Sequence, residues 1–209
     1  EVKFTLPGKK KACLPIFLLC AALCLPQGVM ENHFRPQVVF VDVGQGDCIH
    51  IRTPDGKNIL VDGGGSLDLS YDVGKKTLLP YLLKNGVSRI DGAIVTHMDA
   101  DHYGGIASVS QEIPIDQFYF SGVYQEEKEV LREMFGVGEE RMKFLWEGDA
   151  LRLGEGIEMV ILHPEKNQKL KEENEKSLVI SLDYHGVQIL LTGDIEKETE
   201  LSLKLPKEC

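Results

Sequence analysis

Six consecutive residues, His97-Met98-Asp99-Ala100-Asp101-His102, put two imidazoles and two carboxylates into one short stretch. A metal ion needs several lone pairs converging on a point, and mixed nitrogen and oxygen donors suit zinc, manganese or iron. A calcium loop is one competing reading, because Asp99, Asp101 and Gly104 echo an acidic calcium loop; the two histidines argue against it, since calcium prefers an all-oxygen shell. The other is an exposed acidic turn without an ion, which leaves both flanking histidines as coincidence. Four donors in one loop cannot easily face a single ion. Alternating along an extended turn, they would divide between two neighbouring ions. Such a pair suits hydrolysis, where one ion activates water and both stabilise the developing negative charge.

Further candidates lie on either side. Asp62 ends the apolar run Ile59-Leu60-Val61 and precedes Gly63, Gly64 and Gly65. Three glycines permit close backbone approach, although a simple turn aspartate reads equally well. Asp194 closes Leu190-Leu191-Thr192-Gly193-Asp194, where a carboxylate at a strand end could bridge two ions or cap a following helix. Asp42-Val43-Gly44-Gln45-Gly46-Asp47 reads as a tight loop in which turn chemistry explains the glycines but not Gln45; Gln45 and Asp47 are expected to support the site. His163, before Pro164 at a strand end, is a further candidate, and His33, His50 and His185 read as structural. No nucleophilic serine or cysteine motif and no phosphate loop of the Walker type is present.

These residues need elements to hold them. Val38 to Val43, Cys48 to Arg52 and Asn58 to Val61 read as strands, the last two joined at Pro54-Asp55-Gly56. Thr77 to Lys84 is expected to be helical and to stop at Asn85-Gly86. Ala93 to Thr96 is a short buried strand that delivers the histidine-aspartate motif, and a short helix is expected after Gly104-Gly105. Gln117 to Phe120 reads as a strand. Glu126 to Phe135 reads as a helix with Val130, Leu131 and Met134 on one face. Lys143 to Trp146, Ala150 to Leu153 and Ile157 to Leu162 are expected in a second sheet, with a hairpin from Leu178 to Thr192 turning at His185-Gly186 and a helix from Glu196 to Leu205. Hairpins with helices interspersed make this an α/β chain with mixed sheets, and its candidate residues sit just after strands, where open sheets place ligands.

The 209 residues, 43% hydrophobic and 27% charged, suffice for one packed domain with an appendage. A net charge of −10 provides no general field that attracts nucleic acid. Five cysteines, none in a CxxC pair, imply no disulfide framework and no zinc knuckle. Lys9, Lys10 and Lys11 precede an apolar run from Ala12 to Leu25, shorter than the roughly 20 residues of a spanning helix. It reads as the tail of a membrane helix or a signal anchor, the alternative being a buried segment. Residues 1–36 are accordingly expected to be a membrane tail and linker, and 37–209 a hydrolase domain. The start at Glu1 and the stop at Cys209 point to a piece of a longer product.

Asp62, the segment Thr96-His97-x-x-x-Asp101-His102 and Thr192-Gly193-Asp194, in that order, resemble the metallo-β-lactamase superfamily. Val41-Asp42-Val43-Gly44-Gln45-Gly46-Asp47, with Asp99 where many relatives carry a second histidine, resembles its subgroup of ComEC-type DNA-internalisation competence proteins, which are bacterial membrane proteins. The resemblance covers about residues 38 to 200 and implies an αββα sandwich of two mixed sheets, its second half incomplete, around two divalent ions, zinc or manganese. It implies that His97 and Asp99 bind one ion, that Asp101 and His102 serve the other, and that Asp194 bridges them. Asp101 would also orient the attacking water or accept its proton, and Asp62 would hold the ligand loop. The implied activity is hydrolysis of DNA, as a nuclease in competence-linked uptake where one strand is imported, at the bacterial cell membrane and with other competence proteins as possible partners. A small-molecule hydrolase of esters or lactams, or an inactive fragment, stays open. The superfamily's third-motif histidine is matched either by His163 or by Asn174 to Ser177, and its later histidine motif is expected beyond Cys209.

Overall fold

In the computed structural model, residues 35–66 and 71–205 are described. The apolar run from Ala12 to Leu25 and the reading of residues 1–36 as a membrane tail lie outside them, save the last two of those residues. No helix among the described residues is long and apolar enough to cross a membrane.

The first three strands, β1 (Gln37–Phe40), β2 (Ile49–Arg52) and β3 (Asn58–Val61), run antiparallel. The β2–β3 turn closes through Gly56 N–H donating to Thr53 O (3.0 Å), as Pro54-Asp55-Gly56 predicts. A π-helical turn (Gly74–Leu78) then leads into α1 (Leu79–Lys84). Pro80 is the second residue of α1, and Gly86 in the left-handed region (φ 72°) ends the helix. Strands β4 (Gly92–Val95), β5 (Phe118–Ser121) and β6 (Met142–Leu145) add in parallel, so the order is β1-β2-β3-β4-β5-β6. Parallel neighbours need crossovers. Helix α2 (Ala100–Val109) connects β4 to β5. A 3₁₀ turn (Gly122–Glu127) with α3 (Lys128–Phe135) connects β5 to β6.

The second sheet, β7 (Ala150–Gly154), β8 (Ile157–His163), β9 (Val179–Tyr184) and β10 (Val187–Leu191), has the order β10-β9-β8-β7 and is antiparallel throughout. The β9–β10 turn sits at His185-Gly186, both at positive φ. Helix α4 (Lys197–Ser202) follows β10.

Alternation along the strands sorts the core into two layers. Leu60, Ala93, Val95, Phe118 and Phe120 face Leu82, Ile106, Val109, Leu131 and Phe135 of the helices. Ile49, Ile51, Ile59, Val61 and Ile94 face Leu153, Met159, Ile161, Ile180, Leu182 and Leu191 of the second sheet. Each Val, Leu, Ile, Phe or Met side chain among them contributes about 1.5–3 kcal/mol when fully buried. The result is helices on one face of a six-stranded sheet whose other face packs on a four-stranded one.

Three expectations need correction. Strand β6 is the edge of the first sheet, not a member of the second; its register against β5 pairs Phe120 with Phe144. A short apolar strand carries no label for the sheet it joins. The buried face of α3 is Leu131 and Phe135, whereas Val130 is 57% exposed. Finally, α2 starts at Ala100, inside the metal motif and before Gly104-Gly105. The second half of the motif is therefore helical and not an extended turn.

Candidate metal centre

Three strand ends build the site. Asp62 follows β3, Thr96 and His97 follow β4, and Asp194 follows β10. Asp99 occupies the N-cap position of α2 with an extended backbone (φ −83°, ψ 140°) yet makes no side-chain capping bond, so its carboxylate is uncommitted to the helix. Asp101 and His102 lie in the first turn.

Asp62 is the organising residue. It is 1% exposed and left-handed (φ 55°), a conformation that costs a non-glycine residue about 1 kcal/mol or more. Three hydrogen bonds hold it there. Oδ1 accepts the Thr96 backbone N–H (2.8 Å), and Oδ2 accepts the Thr96 hydroxyl (2.6 Å) and His102 Nδ1 (2.9 Å). With its hydroxyl proton given to Asp62, Thr96 accepts from His97 Nδ1 (3.1 Å). Both imidazoles thus donate from Nδ1 and aim Nε2 the other way.

Those nitrogens converge. The His97 and His102 rings lie 4.2 Å apart, and Nε2 of His102 is 3.3 Å from Asp194 Oδ1. One donor atom each from His97, His102 and Asp194 lie within 4.8 Å of one another. His97 is fully buried, and its Nε2 has no hydrogen-bond partner among the described residues; Asp99 Oδ2 is 3.5 Å away. A buried nitrogen lone pair without a partner is costly, and a cation shared with His102 and Asp194 would satisfy it. The residues present therefore fit a divalent ion.

Electrostatics follow from the same contacts. Burial opposes charge on His102, but the hydrogen bond and charge of Asp62, with Asp194 and Asp101 adding, push its pKa up to about 9. Burial raises the Asp47 carboxyl, against the pull of His102 and with Asp62 and Asp194 adding to the rise.

The supporting residues are also gathered. Gln45 donates from Nε2 to Asp101 Oδ2 (3.2 Å). Gly64 N–H donates to Asp47 O, Gly63 N–H to His102 O and Gly105 N–H to Gly64 O, each at 2.8 Å. These bonds need contact between backbones. A Cβ on Gly105 would overlap the Gly63 carbonyl oxygen, and one on Gly46 (φ 73°) the Asp101 carbonyl oxygen. Asp194 does not cap α4, since the cap position is Glu196. Its backbone N–H instead donates to the Ser177 hydroxyl oxygen (3.2 Å). His163 is not in this group. It is buried and hydrogen-bonds the Glu175 carbonyl through Nε2 (2.8 Å).

Sequence reasoning passed over Tyr124 and Glu173, whereas Lys176 lies in the Asn174 to Ser177 segment held as the alternative to His163, and Ser177 of that segment reaches Asp194. The Met98 backbone N–H donates to Tyr124 Oη (3.0 Å) and Glu173 Oε1 (3.2 Å); Tyr124 donates to the same Oε1, and Lys176 Nζ lies 2.6 Å from Oε2. No spacing rule announces them, because they reach the motif through a backbone amide.

A profile of the Metallo-beta-lactamase superfamily matches residues 41–204. ComE operon protein 3 of Bacillus subtilis is 30% identical over 205 residues, 90% of this chain and 25% of that protein. Competence protein ComA of Neisseria gonorrhoeae is 29% identical over 85% of this chain and 22% of its own length. Recombination protein 2 of Haemophilus influenzae is 29% identical over 88% of this chain and 21% of its own. The chain spans a quarter or less of each of these relatives. Among solved structures, a HARLDQ-motif mutant of a metallo-beta-lactamase from Cronobacter sakazakii superimposes with a TM-score of 0.51 at 17% identity, covering 73% of this chain and 59% of that one. That likeness concerns the fold.

Proposed function

Since the chain belongs to the metallo-beta-lactamase superfamily, we propose that His97, Asp99, Asp101, His102 and Asp194 hold two divalent ions, zinc or manganese, in a hydrolytic centre that cleaves DNA. The observation that carries this reading is the buried Nε2 of His97, unpartnered among the described residues and directed with His102 and Asp194 at one point. Ions bound there would supply a nucleophile from water at neutral pH and neutralise charge developing on a phosphodiester. The chain's own residues divide the rest of the work. Asp101, steadied by Gln45, orients the attacking water and accepts its proton. Asp62 and Thr96 lock the imidazoles with Nε2 forward. Asp194 brings a carboxylate from the opposite sheet, and Asp47 adds a further acidic group beside it. The names of two relatives, a competence protein and a recombination protein, support DNA as substrate and uptake as the setting. In this reading residues 37–209 are the hydrolase domain, and the apolar segment before it attaches the protein to the bacterial membrane.

The test is hydrolysis of single- and double-stranded DNA by the full chain with added Mn²⁺ or Zn²⁺. Cleavage that stops on chelation and falls by at least about a hundredfold in Asp101→Ala is the expected result. A metal-replete protein that leaves DNA intact while turning over small esters or lactams would move the substrate to another class. Indifference of every substrate to Asp101→Ala would end the hydrolytic reading.

A further inference from the structure

The two halves of the centre come from different sheets, His97 to His102 beside the first and Asp194 beside the second. Two sheets packed through aliphatic side chains can slide by fractions of an ångström, whereas a metal site tolerates little error in ligand position. Something must set the spacing, and the turn from Glu173 to Ser177 touches both sides. Towards the first sheet, Glu173 Oε1 accepts the Met98 N–H and the Tyr124 hydroxyl, and Leu178 N–H, next to the turn, donates to Thr96 O (3.0 Å). Towards the second, the Ser177 hydroxyl accepts the Asp194 N–H, and the Glu175 carbonyl is bonded by His163 at the end of β8. Glu175 also pairs with Thr199 of α4.

The chemistry of the Glu173 end is that of a clamp. Lys176 Nζ sits 2.6 Å from Glu173 Oε2 and 5.5 Å from the centre of the Tyr124 ring. Burial works to raise the Glu173 carboxyl, but the bonds from Lys176 and Tyr124 outweigh it and hold the carboxyl below its ordinary value. Burial and the Glu173 partner push the Tyr124 phenol far upward, so it stays a donor. The Met98 amide plane includes the carbonyl of His97, so fixing that N–H sets the direction in which the chain leaves His97 for Asp99.

We propose that Glu173, clamped by Tyr124 and Lys176, is a positioning residue: with Ser177 it forms a brace that sets the separation between the His97–His102 loop and Asp194. This rests on the reading of those residues as a metal centre, and it adds the element that holds the two ligand groups in register. Outer groups that orient metal ligands typically change affinity by about 10–100-fold when removed.

The experiment measures Mn²⁺ and Zn²⁺ affinity of the full chain by calorimetry, together with its thermal midpoint without added metal. Parent, Glu173→Ala, Glu173→Gln and Tyr124→Phe are compared. Glu173→Ala should weaken affinity by about tenfold or more. Glu173→Gln, which keeps an acceptor for the Met98 N–H, should recover most of it, and Tyr124→Phe should fall between. If Glu173→Ala lowers only the midpoint and binds metal as the parent does, or if Glu173→Gln binds as poorly as Glu173→Ala, the brace is overturned. A Glu173→Ala chain that does not fold leaves the decision to Glu173→Gln and Tyr124→Phe: parent-like affinity in Tyr124→Phe overturns the brace, and graded loss supports it. Uptake of no metal by the parent overturns the metal-centre reading itself, an outcome distinct from all of these.

Discussion

At the residue scale, one buried carboxylate governs two histidines. Asp62 touches His102 directly and His97 through the Thr96 hydroxyl, so both rings donate from Nδ1. Part of this was legible. Aspartate after an apolar run, glycines following it and a paired histidine motif downstream marked Asp62, His97, Asp101, His102 and Asp194 as residues to watch. The partner of each nitrogen was not legible, because hydrogen-bond pairing is decided between residues far apart in sequence. His50 illustrates the same limit. As a lone histidine it read as structural, and it is fully buried, with Nδ1 3.1 Å from the Tyr81 hydroxyl and Nε2 3.1 Å from Asn58 Oδ1. Burial lowers its pKa from 6.5 to about 4, against the hydrogen bond that Asn58 Oδ1 accepts from it. The folded state therefore disfavours the proton that the unfolded chain takes up below 6.5. Stability attributable to His50 is complete above that pH and is lost progressively as pH falls to about 4, by up to about 3 kcal/mol. Denaturant unfolding of the parent and His50→Gln across this range should show a steeper acid loss in the parent. Parallel profiles would contradict it.

At the scale of elements, the close approach of α2 to the Gly63–Gly65 segment decides where Asp101 and His102 point. Glycine is a poor helix former, costing about 1 kcal/mol relative to alanine in a helix interior. In α2, Gly104 and Gly105 differ in what they meet. A Cβ at Gly104 has its nearest neighbours at 3.6 and 3.7 Å, an ordinary contact, whereas one at Gly105 overlaps the Gly63 backbone. Gly104→Ala should be neutral or raise the thermal midpoint. Gly105→Ala should lower it, because backbone cannot rotate aside and overpacking costs about 1–3 kcal/mol. Thermal melts of the two variants decide it, and equal midpoints would refute the packing argument. The glycines were visible in the sequence as a licence for close approach, but their partner was not. Strand existence was readable from apolar runs bounded by turns, as for β2, β3 and the β9–β10 hairpin. Sheet membership was not, and β6 went to the wrong sheet for that reason. The start of α2 was missed because aspartate and histidine carry little helix preference, and packing against Gly63–Gly65 overrides it.

At the scale of the whole molecule, a net charge of −10 works against a phosphate polymer. If DNA is held mainly through ions in the centre, few lysine–phosphate contacts contribute, and little counterion release accompanies binding. Affinity should then change by less than about tenfold between roughly 50 and 200 mM salt, where a protein making 6–10 phosphate contacts loses about 10³–10⁵. Fluorescence anisotropy with a labelled oligonucleotide tests this, and a steep loss would reveal a basic surface that the charge count hides. The sandwich has one more consequence. His102 and its carboxylate partner Asp62 are 40 residues apart, and Asp194 arrives only with the last strand of the second sheet. Loop-closure entropy must be met before such contacts return anything. A nascent chain carrying only the first sheet would own both histidines without the carboxylate opposite them. On the proposed metal reading, ion capture would then be a late event in maturation and a signal that the two sheets have docked, and from that moment mass action would favour the finished fold over every earlier intermediate.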